Sequence, residues 1–282
     1  MKRLMLKLLI TLGAVTACAD NIIFDLGGTL IEPNTTYLAG KMGVAEYSMY
    51  SFFDGKSHED LLLHVFDILS LIEGDQQGDI QVLTDKGIPF PQVLVSWHEG
   101  KKSSQDILDE AYRLLDELCD MHYISKGREY NLVKNALNIM LDPEILAHSM
   151  TPIRKGRKLL KKIANACDEN GKPCHRLFIL SNWDKQSFEN LTNKKDIQEL
   201  FNYFPEKNIT TSASLGATKP HADTFKKFLE LHDLKAEECV FIDDQFENLE
   251  GAKACGIKTV HFNVDSIKTT YKALDKLNIQ LS

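Results

Sequence analysis

Four short stretches of this chain carry residue types that suit phosphoryl-transfer chemistry, and three of them follow an apolar run. Asp25 follows Ile22-Ile23-Phe24 and leads into Leu26-Gly27-Gly28-Thr29. Ser181-Asn182 follows Leu177-Phe178-Ile179-Leu180, Lys219-Pro220 lies in a later loop, and Asp243-Asp244 follows Val240-Phe241-Ile242. Two or three carboxylates can hold Mg²⁺, a hard cation that takes oxygen ligands and shares its shell with phosphate. An aspartate beside such an ion can attack a phosphoryl group and form an aspartyl-phosphate. A lysine, a serine hydroxyl and backbone N–H groups near Gly28 can stabilise the oxygens on which charge builds.

These residues share a crevice only if their apolar runs are neighbouring strands. From Thr151 onward the text alternates helix and strand, with strands expected at Arg176–Leu180, Ile209–Thr211, Cys239–Ile242 and Lys258–Phe262. That alternation indicates βαβ units and a parallel sheet. In such sheets ligands bind beyond the carboxyl ends of the strands, near the topological switch point. From Pro33 to His148 no strand is expected. Apolar residues recur there at helical spacing, as in Leu61, Leu62, Val65, Phe66, Ile68 and Leu69, and in Ile107, Leu108, Tyr112, Leu115 and Leu118. Loops are expected near Gly74–Gly78 and Gly87–Pro91. The expected fold is α/β: a three-layer, Rossmann-like parallel sheet of about five strands, with an all-helical cap inserted after the first strand. Residues 20–33 and 150–282 form the core and 34–149 the cap.

The pattern resembles the haloacid dehalogenase superfamily, whose four motifs occur here in order. They are Phe24-Asp25-Leu26-Gly27-Gly28-Thr29-Leu30, Leu180-Ser181-Asn182, Gly216-Ala217-Thr218-Lys219-Pro220, and Phe241-Ile242-Asp243-Asp244 with Asn248, Gly251-Ala252 and Gly256 trailing. The resemblance implies a phosphatase-like hydrolase with a C1-type helical cap, Mg²⁺ as cofactor and a small phosphorylated substrate. It implies Asp25, Ser181 and Lys219 as catalytic residues and Gly28, Thr29 and Asn182 as substrate-binding ones. Asp25, the Gly27 carbonyl, Asp243 and Asp244 become the metal ligands. Within the acidic pair, Asp243 is favoured as the ligand, with the other acid orienting Lys219 or a water. The chain departs from the family at Gly27, where phosphatases usually carry a second aspartate as acid and base. Loss of a placed general acid costs about 10²–10⁴ in rate. Glu32, His58 and His98 are candidate substitutes. Two further readings follow from the glycine: a non-catalytic phosphate- or partner-binding domain, and a metal-independent 2-haloacid dehalogenase.

Bland alternatives stand beside these roles. Ser181 and Asn182 are ordinary capping types, Asn248 could cap the following helix, and Trp183 and the cap histidines read as packing or surface residues. The basic run Arg154–Lys162 reads as the solvated face of an amphipathic helix. A net charge of −7 argues against nucleic acid as a partner.

Met1-Lys2-Arg3 followed by the uncharged run Leu8–Ala19, closing on Ala17-Cys18-Ala19, matches a signal peptide over 1–19. Cleavage before Asp20 would place the protein in the periplasm or elsewhere outside the cytoplasm. Val15-Thr16-Ala17-Cys18 also resembles a lipobox, making Cys18 a lipid-anchor site and the one route to a membrane. The alternative is the first helix of a cytoplasmic protein. Cys167 and Cys174 bracket a polar turn, as a local disulfide or as two unpaired buried thiols.

Overall fold

The computed structural model describes residues 20–53, 57–74 and 90–282. The leader-like segment with Cys18, and most of the two loops expected near Gly74–Gly78 and Gly87–Pro91, lie outside the described residues.

Strand β1 (Asp20–Phe24) is followed by β2 (Ile31–Pro33) and then by helices α1 (Thr35–Met42), α2 (Val44–Phe53), α3 (His58–Leu71), α4 (Gln92–His98), α5 (Ser104–Asp120), α6 (Arg128–Leu141) and α7 (Pro143–Ser149). The chain returns through β3 (Met150–Pro152) and α8 (Arg154–Ala164) to β4 (His175–Ser181), α9 (Lys185–Thr192) and α10 (Lys195–Phe201). Next come β5 (Ile209–Thr211), α11 (Ser212–Leu215), α12 (Ala222–Leu231) and β6 (Cys239–Asp243). α13 (Phe246–Ala254), β7 (Lys258–His261) and α14 (Ile267–Lys276) complete the fold.

The main sheet runs β5-β4-β1-β6-β7, and every neighbouring pair is parallel. Its central strands are apolar at successive positions because both faces are covered. Ile22 and Phe24 pack with Ile179, Val240 and Ile242 against α8, α9, α10 and α14. Ile23 faces the other way, with Phe178, Leu180 and Phe241, against Phe225 and Phe228 of α12 and Leu249 of α13. One strand thus serves two cores, which makes the fold a three-layer α/β sandwich. β1 is central, with later strands added on both sides of it. The order reverses around β1, so its carboxyl end borders the crevice.

The helices of residues 35–149 bury a core of their own, including Leu61, Val65, Trp97, Ile107, Leu115, Val133 and Leu137. The insert leaves and rejoins the core through a ribbon absent from the expectation above: β2 and β3 pair antiparallel, Ile31 with Pro152 and Pro33 with Met150. Each strand is three residues long and contains a proline, so no alternating pattern marks it. The basic run on α8 matches its solvated-face reading, with Leu159, Leu160 and Ile163 buried and Arg154, Lys155, Arg157 and Lys158 exposed. Cys167 and Cys174 are free thiols, exposed and half-buried respectively, so neither is the buried thiol expected.

Candidate active site

β1, β4 and β6 end in register, with Phe24 beside Ile179 and Ile242. Their next polar residues are therefore neighbours. Ser181 donates its hydroxyl to Asp25 Oδ1 at 2.8 Å. The Lys219 ammonium donates to the same oxygen at 2.6 Å and to Asp243 Oδ2 at 2.8 Å. Among the described residues, both side-chain bonds accepted by Asp25 fall on Oδ1, which leaves Oδ2 for attack or for a cation. Asp25, Ser181, Lys219 and Asp243 are all buried.

Lys219 is held by its backbone as well. Its N–H donates to Asn182 Oδ1 at 3.0 Å, and its carbonyl accepts from Asn182 Nδ2 at 2.9 Å. The Asn182 amide is thus occupied in placing Lys219, where the sequence had assigned it to substrate. Neither Ser181 nor Asn182 caps the next helix. Asp184 does so, accepting the Ser187 N–H at 3.0 Å. Trp183 is buried in the core and gives its N–H to Ser212 Oγ at 2.9 Å, in line with a packing role.

Asp243, the acid favoured above as ligand, is also the one that meets the lysine, a task expected of its neighbour. It accepts as well from the Gln245 N–H at 2.8 Å and from Asn248 Nδ2 at 3.2 and 3.1 Å. Asn248 therefore serves the site, while Gln245 stands at the cap position of α13. Asp244 Oδ1 is buried without a hydrogen-bond partner. One ligand atom from each of Asp25, Asp243 and Asp244 lies within 4.8 Å of the others. Burial, with the charges of Asp25 and Asp243 added, pushes the Asp244 carboxyl up to about 7. Burial is also the largest influence on Asp25, held at about 6 as Lys219 opposes it and Asp243 reinforces it. Burial works to lower the Lys219 ammonium, but the two carboxylates outweigh it and its pKa is raised. Crowded, partly neutralised acids with an orphaned buried oxygen are what a divalent cation relieves, so these residues fit Mg²⁺.

The Gly27-Gly28 turn shows two different needs. Gly28 has φ +71°, and a β-carbon there would lie 2.1 Å from Asp244 Oδ2, so the Asp244 carboxylate packs against its bare α-carbon. Gly27 has open space, with nothing within 4 Å of a built β-carbon. Thr29 is wholly buried and its hydroxyl lacks a partner. Of the substitute acids, Glu32 is exposed on β2 and His98 is half-buried, stacked on Trp97 with ring centroids 4.9 Å apart. The His58 side chain lies outside the described residues.

Three contacts that no local motif announces tie the insert to this site. Ser212 Oγ donates to the His98 carbonyl at 2.7 Å, Thr218 Oγ1 donates to Glu99 Oε1 at 3.2 Å, and Gly100 packs on Ala213.

Similar proteins were found at several levels. The drimenol cyclase DrtB of Aspergillus calidoustus is 26% identical over 144 residues, which is 50% of this chain and 26% of the cyclase. The chain thus matches about a quarter of that curated relative's length. Among solved structures, the HAD family enzyme BT-2542 of Bacteroides thetaiotaomicron, in complex with magnesium and inorganic phosphate, is 16% identical with a TM-score of 0.46, covering 86% of this chain and 93% of that one. A HAD-like family hydrolase from Porphyromonas gingivalis is 22% identical with a TM-score of 0.47, covering 92% and 98%. The L-2-haloacid dehalogenase of Xanthobacter autotrophicus is 14% identical with a TM-score of 0.47, covering 86% and 76%. The family model for haloacid dehalogenase-like hydrolases spans residues 19–256, taking in all four motifs and the helical insert, and the chain belongs to that family.

Proposed function

We propose that this hydrolase is a Mg²⁺-dependent phosphatase acting on a small phosphate ester or anhydride through an aspartyl-phosphate on Asp25. The observation that carries the reading is the convergence of Asp25, Asp243 and Asp244 within 4.8 Å, beside a buried lysine bonded to two of them. Asp243 could serve a metal-independent dehalogenase by pairing with Lys219, but the third carboxylate, Asp244, keeps a buried oxygen without a partner that only a cation would use, and this favours phosphate chemistry.

Asp25, Asp243 and Asp244 would hold the ion, with the Gly27 carbonyl as a further oxygen. When bound, Mg²⁺ supplies positive charge that offsets the clustered carboxylates and the phosphoryl oxygens. Ser181 and Lys219 fix Asp25 Oδ1, which points the other oxygen at phosphorus. A new O–P bond then forms on Asp25 as the bond to the leaving oxygen breaks. Lys219 and Ser181 meet the charge on the phosphoryl oxygens, whereas the Gly28 and Thr29 N–H groups expected to join them are given to the Ile31 and Leu26 carbonyls within the turn, at 2.8 and 3.2 Å. Water then attacks the phosphorus of the aspartyl-phosphate and releases phosphate. Gly27 offers no proton to the leaving oxygen, so substrates with good leaving groups suit this site best. The insert covers the crevice and selects the substrate.

The test is turnover of an aryl phosphate by the purified protein with Mg²⁺, with EDTA, and as Asp25→Asn. Mg²⁺-dependent release of phosphate that disappears in the variant is expected. Turnover of 2-haloacids indifferent to EDTA would overturn the reading in favour of a dehalogenase. Phosphate binding without turnover would overturn it in favour of a binding domain.

Export is part of the same proposal. β1 begins at Asp20 and the family match at residue 19, so cleavage after Ala19 leaves the sheet whole. The mass of the mature N-terminus tests this. A chain starting at Asp20 is expected, a lipidated Cys18 would make the protein membrane-anchored, and an intact Met1 would reject export.

A further inference from the structure

We propose that Glu99, on the helical insert, is a positioning residue for Lys219 and acts through Thr218. Glu99 follows the last residue of α4, and its carboxylate is fully shielded from solvent. A helix C-terminus favours cations, and a buried carboxylate is costly wherever it sits. This one is held by two contacts, the Thr218 hydroxyl at 3.2 Å and the Lys101 ammonium at 3.0 Å. The first of these joins residues 119 positions apart in sequence and ends one residue before the catalytic lysine.

The Thr218–Pro220 segment is gripped from several sides. The Thr218 carbonyl accepts the His221 N–H at 3.1 Å, and Asn182 clasps the Lys219 peptide from the core. Glu99 supplies the grip from the insert, with the His98 carbonyl on Ser212 and Gly100 on Ala213 holding α4 in place beside it. The insert therefore does more than cover the crevice. Its docking fixes the backbone from which Lys219 reaches Asp25 and Asp243, and a displacement of about 1 Å in such a group costs on the order of 100-fold in rate.

The inference rests on the proposed phosphatase only for its kinetic part, and the experiment separates the two. Hydrogen exchange of the Lys219 amide, which donates to Asn182, is measured in the full chain as wild type, Glu99→Ala, Glu99→Gln and Thr218→Val. Glu99→Ala and Thr218→Val are expected to speed that exchange about 10-fold or more while the amides of β1 and β6 keep their wild-type rates. Glu99→Gln retains an acceptor and is expected to stay near wild type. Where the protein turns over an aryl phosphate, kcat should fall about 10–100-fold in the first two variants with KM little changed. Unchanged Lys219 exchange in Glu99→Ala would overturn the inference, as would a uniform rise across the sheet. Should Glu99→Ala fail to fold, the near-isosteric Thr218→Val decides by the same criteria. Absence of any turnover in wild type would defeat the phosphatase reading and leave the exchange result to judge Glu99.

Discussion

Lys219 Nζ lies 2.6 Å from Asp25 Oδ1, and the same ammonium reaches Asp243 Oδ2 at 2.8 Å. One buried cation thereby joins the end of β1 to the end of β6. Removing one partner of a buried ionic cluster leaves the others uncompensated and typically costs about 3–5 kcal/mol.

Lys219→Met is accordingly expected to melt well below wild type in EDTA. Added Mg²⁺ should recover more of the melting temperature in the variant than in wild type, because the ion takes over part of the lost positive charge. Aryl phosphate turnover should fall by about 10²–10³. Calorimetry and steady-state assays check both, and a variant as active as wild type would refute the assigned role.

Gly27→Asp tests the missing acid, and the open space at Gly27 means the new side chain meets no neighbour at its β-carbon. The melting temperature should be little altered. Turnover of alkyl phosphates should rise by up to about 10²-fold and that of aryl phosphates much less, since only the poorer leaving group needs the proton. Equal gains on both would count against the argument.

Gly28→Ala should do the reverse. Its β-carbon would collide with the Asp244 carboxylate and sit at φ +71°, so Asp244 must move. A loss of about 1–3 kcal/mol in stability is expected, together with weaker Mg²⁺ binding by titration calorimetry.

His98 gives a pH signature of its own. Burial pushes its imidazole down to about 4, below the 6.5 of an exposed histidine. The unfolded chain therefore binds a proton that the folded one resists. The associated stability is full above pH 6.5 and is lost as the pH falls toward 4, amounting to about 1–3 kcal/mol for a half-buried ring. Thermal melts of His98→Gln should show a shallower fall than wild type over that interval. Parallel curves would contradict the assignment.

The three central strands were legible because burial on both faces forces continuous apolar runs, each ending where a polar residue reaches the crevice. The edge strands β5 and β7, with Thr210, Thr211, Lys258 and Thr259 in them, were legible from the helix–strand alternation around them. Asp25, Ser181 and Asp243 followed from the endings of the central strands, and Lys219, in a loop beyond α11, from its motif. The ribbon of β2 and β3 was not legible, since three residues with a proline carry no period. The sequence favoured Asp243 as a ligand but did not show which of the two acids meets Lys219. Two adjacent acids after one strand look alike until Lys219, Gln245 and Asn248 are seen to engage the first and leave an oxygen of the second alone. Glu99 was invisible for a different reason: its partner lies more than a hundred residues away, and nothing near it in the chain hints at Thr218.

The antiparallel ribbon has an evolutionary consequence. Asn34 N–H donates to the Ser149 carbonyl at 2.7 Å, so both ends of the insert meet at one junction. The entropic cost of tethering such an excursion grows only with the logarithm of its length. Helices could be gained, lost or exchanged between those two residues with little disturbance to the sheet. Each replacement would need its own substitute for the carboxylate that now steadies Thr218. Drift in the insert is thus free in size yet constrained where residues 98–100 and α7 dock on the core.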